Sequence, residues 1–280
     1  MASSSMTKLP IVRNKSYKLN GLKSYVYAMN KFGIAPTQSS MFKRDSPQSK
    51  LMKVQKDGTS GEVTADDQEN DSFYTVAVQI GTPAQTVNLD FDSGSSDLWV
   101  WSTKLNKSTL AAGEKEDVKV FDSTKSSSFK NTSGSTWKIS YGDGSIASGT
   151  VGTDNVTIGD ITIKNQSVEL ANQISSSFQN SSSSGLLGLA WGSINTVQPE
   201  PVKTPVENMI AQDDIPSSAE LFTVYLGSVK DVNDPDQGKS FYTFGQIDQD
   251  VVTASGQCIG YTPIDNSQGF WNFKSESAIV

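Results

Sequence analysis

The 280-residue sequence contains no histidine and a single cysteine, Cys258. Without histidine there can be no Ser-His-Asp triad, no Cys-His pair and no zinc site with histidine ligands. One cysteine excludes an intrachain disulfide and a cluster of thiolate ligands. If the protein is an enzyme, its chemistry must therefore rely on carboxylates or hydroxyl groups.

Long apolar runs are also absent. No stretch approaches the roughly 18 continuous apolar residues of a membrane-spanning helix, so no membrane partner is predicted. The first 20 residues are polar and contain Pro10, Arg13, Lys15 and Lys18, so no signal peptide with an apolar core is recognised. Apolar residues make up 35% of the chain and glycine occurs 22 times. This composition favours many short strands and turns.

Charge is divided unevenly along the chain. Residues 1–58 carry eleven basic and two acidic side chains, whereas residues 59–280 carry twelve basic and 28 acidic side chains. This contrast predicts a basic arm that is attracted to an acidic body, and the simpler alternative is a basic disordered tail. Because an acidic body repels phosphate, nucleic acid is not an expected partner.

Helical patterns are few. Residues 22–32 place apolar side chains on one face and are followed by Gly33 and Pro36, which predicts a helix in the basic arm. In the acidic body, the only good helix candidate is the short segment 205–212. The long polar stretch 103–135 is expected to run over the surface as a loop.

Strand patterns dominate the body. Residues 73–80 and 85–91 alternate around a Gly-Thr-Pro turn and predict a β-hairpin. Residues 137–151 predict a second, projecting hairpin with a Gly-Asp-Gly-Ser tip. Another strand is predicted at residues 257–262. The patterns together predict a β-rich globular protein.

One segment combines apolar flanks with a carboxylate. In the sequence Leu-Asp-Phe-Asp-Ser-Gly-Ser-Ser-Asp-Leu-Trp-Val, residues 89–100, Asp92 lies where an apolar strand breaks into a Gly/Ser turn. Small neighbours can donate N–H and O–H groups to a carboxylate held at such a strand end. The alternative reading, an aspartate that only caps a turn, is equally tenable for this segment alone.

Four further segments occur in the order found in pepsin-like aspartic endopeptidases, and residues 89–100 resemble the first active-site motif of that family. Together they resemble the fungal aspergillopepsin and penicillopepsin type from about residue 62 to residue 280. The segments are Tyr-Gly-Asp-Gly-Ser at 141–145, Gly-Leu-Leu-Gly-Leu-Ala at 185–190, and the stretches 193–199 and 261–271.

The resemblance implies an all-β, bilobal acid protease fold. Residues 1–60 are then a basic propeptide-like segment with a linker, residues 61–215 a complete N-terminal lobe, and residues 216–280 the start of a C-terminal lobe. Lys31 is a candidate for a propeptide lysine that lies against the catalytic carboxylates. The implied partners are a peptide or protein substrate and the protein's own propeptide segment.

The family's catalytic roles can be carried over by position. Asp92 would be the catalytic aspartate of the first lobe. Ser93 stands where threonine is commoner and keeps the hydroxyl that bonds across the lobe interface. Ser95 is expected to donate a hydrogen bond to the carboxylate, and Gly94 completes the motif.

The second set of implied residues surrounds the substrate. Tyr141 would be the flap tyrosine and Trp99 its hydrogen-bonding support, with ordinary packing as the alternative for both. Leu186 could line a substrate pocket or belong to the core. The hairpin residues expected to contact the substrate backbone or shape the tip are Gly142, Asp143, Gly144 and Ser145. The resemblance implies no metal, no cofactor, a monomer when full length and an extracellular location.

The family also requires a second Asp-Ser/Thr-Gly motif, and these 280 residues contain only the one at 92–94. We therefore expect a precursor fragment of an aspartic endopeptidase that lacks the second aspartate. A non-catalytic, peptide-binding relative is one alternative. Another is an unrelated β-sandwich that uses tryptophans 99, 101, 137, 191 and 271 to bind sugars.

Overall fold

The computed structural model describes residues 8–12, 65–68, 73–227 and 240–275. The predicted helix at residues 22–32 and the candidate Lys31 lie outside these ranges. No helix among the described residues is both long and apolar enough to cross a membrane.

Strands form most of the regular structure in these ranges. The eleven strands described are β1 (Lys8–Val12), β2 (Ala65–Gln68), β3 (Phe73–Ile80), β4 (Gln85–Asp92), β5 (Leu98–Trp101), β6 (Lys130–Ser140), β7 (Ile146–Ile158), β8 (Ile161–Ile174), β9 (Gly185–Gly188), β10 (Phe222–Tyr225) and β11 (Ser240–Phe244). The all-β prediction is confirmed.

Part of the sheet closes into a barrel. The strand order is β10-β11-β1-β2-β3-β4-β9-β5-β8-β7-β6, and β3 pairs additionally with β7. Strands β3, β4, β9, β5, β8 and β7 are therefore hydrogen-bonded in a closed ring. Closure removes free strand edges, which are otherwise sites of aggregation. The ring fixes the ends of β4 and β9 side by side.

Both predicted hairpins are present. β3 and β4 pair antiparallel from Thr75↔Asp90 to Ile80↔Gln85. β6 and β7 pair antiparallel up to Ser140↔Ile146, which leaves residues 141–145 as the tip. In β4, side chains alternate between buried and half-buried positions, as the sequence pattern predicts for a strand with one face on a core.

Two apolar clusters fill the molecule. The larger one lies inside the barrel and includes the fully buried Val76, Leu89 and Leu187. The smaller one is built around Trp99 and Trp137, whose rings are stacked with centroids 5.9 Å apart. Residues of the β6–β7 hairpin pack in this smaller cluster, so the position of the hairpin depends on aromatic packing.

Four α-helices are described, and the sequence predicted only one of them. They are α1 (Lys107–Lys115), α2 (Ser176–Gln179), α3 (Pro205–Ala211) and α4 (Gln249–Ser255). The prediction at 205–212 is confirmed by α3, which begins with a capping box between Thr204 and Glu207. The prediction that the body has no other good helix candidate was wrong. α1 lies in the polar stretch 103–135, and the Asn106 side chain caps it by accepting from the Thr109 N–H at 2.8 Å.

One predicted strand is not formed. Residues 257–262 are exposed and do not form a strand. Their alternating pattern lacks a partner among the described strands, and an unpaired strand has no ladder hydrogen bonds to stabilise it. Nearby, β10 and β11 pair antiparallel from Phe222↔Phe244 to Tyr225↔Phe241.

Candidate active site

Asp92 is the last residue of β4 and lies at the open end of the barrel. Its neighbours Leu89 and Phe91 are buried, whereas its own side chain is half-buried. The parallel partner of Asp92 is Gly188 at the end of β9, and the Asp92 carbonyl accepts a 2.8 Å hydrogen bond from the Leu189 N–H. The end of β4 is therefore held by its pairing with β9.

The carboxylate of Asp92 has a backbone donor. The Gly94 N–H donates to Asp92 Oδ1 at 2.8 Å. A Cβ at residue 94 would lie 3.2 Å from that same oxygen, a close contact that glycine avoids. The predicted bond from Ser95 is not formed. The Ser95 hydroxyl is buried and has no hydrogen-bond partner among the described residues, while its backbone carbonyl accepts from the Ala190 N–H at 2.9 Å. The backbone amide of Gly94 provides the contact that we expected from that hydroxyl.

Strand β9 passes directly behind the loop that follows Asp92. A Cβ at Gly188 would lie 2.5 Å from the Ser95 carbonyl oxygen, and a Cβ at Gly185 would lie 2.0 Å from the Trp99 carbonyl oxygen. No other residue fits such approaches without moving the backbone. The Gly188 N–H donates to the Asp97 carbonyl at 2.9 Å, which is possible only because the two chains come this close.

The tip of the β6–β7 hairpin is a tight, internally bonded turn. The Tyr141 N–H donates to the Ser145 carbonyl and the Gly144 N–H donates to the Tyr141 carbonyl, both at 2.9 Å. The Asp143 carboxylate accepts from the Ser145 N–H at 2.9 Å. Residues 142–144 are exposed, whereas the Ser145 side chain is buried. Gly144 adopts a φ of 81°, which favours glycine.

The hairpin is connected to the core through Tyr141. The Trp99 indole Nε1 donates a 2.8 Å hydrogen bond to the Tyr141 hydroxyl. Phe178 in α2 contacts both rings edge-on, with centroid distances of 5.0 Å to Trp99 and 5.6 Å to Tyr141. Burial raises the pKa of Tyr141 well above its usual value, and the negative charges of Asp92, Asp97 and Glu169 raise it further against the lowering effect of the Trp99 bond. Asp92 and Tyr141 are therefore electrostatic neighbours.

The remaining predicted residues divide between surface and core. Ser93 is exposed at the turn after Asp92. Leu186 is 8% exposed and packs in the cluster that contains Trp99 and Trp137. This placement favours the core alternative for Leu186, although its small exposed fraction lies next to the hairpin.

A buried polar group close to the loop was missed by the sequence analysis. Asp97 and Glu169 are both 0% exposed, and each carboxyl group influences the pKa of the other. Asp97 stands inside the recognised motif, and Glu169 follows Val168 in a buried part of β8. The only available signal was a glutamate within an otherwise apolar strand segment. Phe178 was missed as well, because nothing in a short Ser-rich segment indicates a ring contact.

The tryptophans are not arranged as a sugar-binding surface. Trp99 and Trp101 are fully buried and Trp137 is 2% exposed. Trp191 and Trp271 contact each other with a centroid distance of 5.0 Å. Three of the five rings cannot reach a ligand, so the β-sandwich alternative was wrong.

Comparison with known proteins identifies the family. Residues 73–280 match the sequence model described as eukaryotic aspartyl protease. Endothiapepsin of Cryphonectria parasitica is 41% identical over 270 residues, which cover 96% of this chain and 59% of the relative. Penicillopepsin-1 of Penicillium janthinellum is 43% identical over 222 residues, which cover 78% and 60% respectively.

A third relative gives the same result. Rhizopuspepsin-1 of Rhizopus niveus is 38% identical over 272 residues, which cover 97% of this chain and 62% of the relative. The chain thus spans about three-fifths of the length of these relatives. The family match, the barrel and the motif order agree, and the chain belongs to the eukaryotic aspartyl protease family.

Proposed function

We propose that this chain forms the first catalytic lobe of an aspartic endopeptidase, with Asp92 as one of two carboxylates that activate water at acid pH. One observation carries the proposal: the half-buried Asp92 carboxylate is held at a strand end by the Gly94 N–H at 2.8 Å. This hydrogen bond fixes the orientation of the carboxylate, and a carboxylate fixed in this way can act as a general base toward a water molecule.

The reaction needs a pair of carboxylates with unequal protonation. Two carboxyl groups about 3 Å apart share one proton, because both cannot ionise. The ionised member removes a proton from water, whose oxygen then bonds to the peptide carbonyl carbon. The protonated member donates to the carbonyl oxygen. The tetrahedral intermediate collapses with cleavage of the C–N bond. The leaving nitrogen takes the proton that was removed from water, and a hydroxyl of the intermediate returns its proton to the other carboxylate. None of these steps requires histidine, which this sequence lacks.

The second carboxylate is proposed to come from outside these 280 residues. Only one Asp-Ser-Gly and no Asp-Thr-Gly occur within them, and the matched relatives are longer. In this proposal the chain corresponds to a precursor fragment. The single motif also favours a second candidate, a non-catalytic relative that binds peptides without cleaving them.

The β6–β7 hairpin is proposed to cover the substrate. Its exposed tip residues Gly142, Asp143 and Gly144 would contact the peptide backbone, and Leu186 would contribute a small part of a side-chain pocket. Tyr141 is protonated over the acid range, as an ordinary tyrosine is, and the upward shift of its pKa acts in the same direction. Its hydroxyl accepts from Trp99 and keeps its own proton available for donation. The substrate class is therefore an extended peptide bound between the hairpin and Asp92.

The basic arm is proposed to act as a propeptide. Residues 1–58 carry eleven basic side chains, and residues 59–280 are predominantly acidic. β1 from this arm adds to the sheet, pairing antiparallel with β11 and parallel with β2. The endothiapepsin match covers 96% of the chain, so it extends into the arm. We propose that acid protonates the body, weakens the attraction and releases the arm, and that the mature protein is extracellular and monomeric.

The catalytic proposal is tested with the protein translated from the complete transcript. Peptide cleavage is measured by mass spectrometry at about pH 4, where one member of a carboxyl pair is protonated. Asp92→Asn is expected to lower kcat by about 10,000-fold or more, the order of the loss seen when a member of a serine-protease triad is removed. Asp160→Asn, at an exposed turn, is the matched control and is expected to retain full activity.

The outcomes separate the two candidates. Loss of cleavage in Asp92→Asn alone supports the endopeptidase. Peptide binding without cleavage in the wild type supports the non-catalytic relative. Cleavage that persists in Asp92→Asn contradicts both candidates, because the protein then cleaves peptides without using Asp92. For the arm, incubation at about pH 3.5 is expected to yield a shortened chain, because carboxylates are protonated there. An arm that stays intact and bound at that pH contradicts the propeptide role.

A further inference from the structure

A pair of buried carboxyl groups lies beneath the loop that carries Asp92. Asp97 and Glu169 are both 0% exposed. Glu169 lies in β8 opposite Trp99 of the parallel strand β5 and opposite Val151 of the antiparallel strand β7. Asp97 is the residue just before β5. The two carboxyl groups are close enough for each to influence the pKa of the other, so they form a buried carboxyl pair beneath the loop.

Each carboxyl has one oxygen with an external donor. Asp97 Oδ1 accepts from the Thr196 N–H at 3.1 Å and from the Thr196 hydroxyl at 2.6 Å. Glu169 Oε1 accepts from the Asn195 Nδ2 amide at 3.1 Å. Asp97 Oδ2 and Glu169 Oε2 are buried and receive no donor from the described residues. A proton on one of the two carboxyl groups is the donor that this arrangement lacks.

No cation compensates for two negative charges at this position. The groups that shift the pKa of either carboxyl are burial, each other, Thr196 and Asn195, and no lysine of the described residues is among them. Burial is the largest cause in both cases and raises both pKa values. The Tyr141 phenol at the hairpin interacts electrostatically with both members of the pair, and also with Asp92 on β4.

Charged side chains on the surrounding segments have other partners or face solvent. The Lys104 ammonium donates to the Thr150 hydroxyl at 2.7 Å, and the Glu207 carboxylate accepts from the Gly192 N–H at 3.0 Å. Glu200 and Lys203 are exposed. Because no cation balances a second negative charge, the pair can avoid carrying two charges only by keeping one proton.

The pair connects the Asp92 loop to two other parts of the molecule. Residue 97 ends the loop, and the Asn195 amide bonds both Glu169 and the Ser96 carbonyl, the latter at 3.2 Å. The Ser96 hydroxyl donates to the Trp191 carbonyl at 2.6 Å. β8, the loop 93–97 and the segment 191–197 thus meet at one polar point. Repulsion between two ionised carboxylates at this position would push these three segments apart.

We propose that Asp97 and Glu169 share a single proton, and that Glu169 in this form is a positioning residue for the loop that carries Asp92. Glu169 donates the shared proton, and Asp97 accepts it together with the two Thr196 donors. Loss of the proton places two adjacent negative charges in a dry site, and the loop is released from β8. The inference concerns the fold of the loop and holds whether or not the protein cleaves peptides.

The sign of the pH dependence follows from proton counting. The unfolded chain releases the proton above about pH 4, whereas the folded chain keeps it to a higher pH. The stability conferred by the pair is therefore complete below the unfolded pKa and is lost as the pH rises toward the folded pKa. Over this window the unfolding equilibrium constant rises about tenfold per pH unit for the one proton released.

Glu169→Gln is the variant that tests this account. The glutamine carbonyl can accept from Asn195 and its amide can donate to Asp97, so the hydrogen-bond pattern survives without a proton. The unfolding equilibrium constant of this variant is expected to rise less steeply with pH than that of the wild type. The missing contribution is the factor of about ten per pH unit that comes from the shared proton. Glu200→Gln makes the same change at an exposed position and is expected to keep the wild-type slope. Glu169→Ala removes the donor and is expected to be less stable at every pH.

Infrared spectroscopy provides a second readout that needs no variant to fold. At about pH 6.5 ordinary carboxyl groups are ionised, so a protonated-carboxyl C=O band marks a buried proton. The band is expected in the wild type and in Glu200→Gln, and its intensity is expected to fall in Glu169→Gln. Absence of the band in the wild type overturns the proposal. Equal pH slopes in the wild type and Glu169→Gln overturn it as well.

Discussion

Trp99 and Tyr141 are 42 positions apart in the sequence, and the Trp99 indole Nε1 donates to the Tyr141 hydroxyl at 2.8 Å. Trp99 is fully buried, so its N–H cannot turn to water if this acceptor is removed. The hairpin tip is therefore tied to the barrel by a bond that is costly to break.

Tyr141→Phe is expected to destabilise the protein. It leaves a buried donor unsatisfied, which costs about 1–3 kcal/mol in the free energy of unfolding. Chemical denaturation measures this cost. Tyr261, which is 87% exposed, offers the matched control, and Tyr261→Phe is expected to be neutral. Equal stability of both variants would show that the Trp99 bond does not hold the hairpin.

Gly188→Ala is expected to disturb the Asp92 loop. The new Cβ would lie 2.5 Å from the Ser95 carbonyl oxygen and equally close to the Ser96 Cα. Backbone atoms cannot yield as a flexible side chain does, so the expected cost is about 1–3 kcal/mol or more. Gly142→Ala is the control, because nothing lies within 4 Å of its Cβ position. A melting temperature for Gly188→Ala equal to that of the control contradicts the close packing of β9.

Asn106→Ala is expected to weaken α1. The Asn106 side chain accepts from the Thr109 N–H at 2.8 Å and from the Ser108 hydroxyl at 2.6 Å. Losing an N-cap costs about 0.5–2 kcal/mol. Lys107→Ala, at the first residue of the helix, keeps the cap and is expected to be close to neutral. If the unfolding midpoints of the two variants coincide, the cap does not stabilise this segment.

The strands were predictable because their signal is local. Alternation in residues 73–91 and 137–151 reports directly which side chains face a core, and turn residues mark the ends. Helix α1 was not predictable from its weak apolar pattern, since its stability depends on the Asn106 cap and on contacts with distant parts of the chain. Tertiary contacts also decide the fate of residues 257–262, whose pattern resembles a strand without a partner.

The candidate site also contains residues that could be predicted from the sequence and residues that could not. Asp92 could be identified from its motif, because the motif is contiguous in sequence. The donor to its carboxylate could not, since the choice between the Gly94 N–H and the Ser95 hydroxyl depends on loop geometry. The Asp97–Glu169 pair joins a residue of the loop before β5 to a residue of β8, and only the fold brings them together.

The central claim is that Asp92 takes part in peptide-bond hydrolysis, and inhibitor affinity tests it most directly. A peptide with a secondary alcohol in place of the cleaved amide resembles the tetrahedral intermediate, whereas its methylene counterpart does not. For the protein from the complete transcript, we predict that the alcohol binds at least about 100-fold more tightly, as transition-state analogues do. We also predict that Asp92→Asn loses most of this preference while Asp160→Asn keeps it. Equal affinity of the two peptides for the wild type, or an unchanged preference in Asp92→Asn, would contradict the claim.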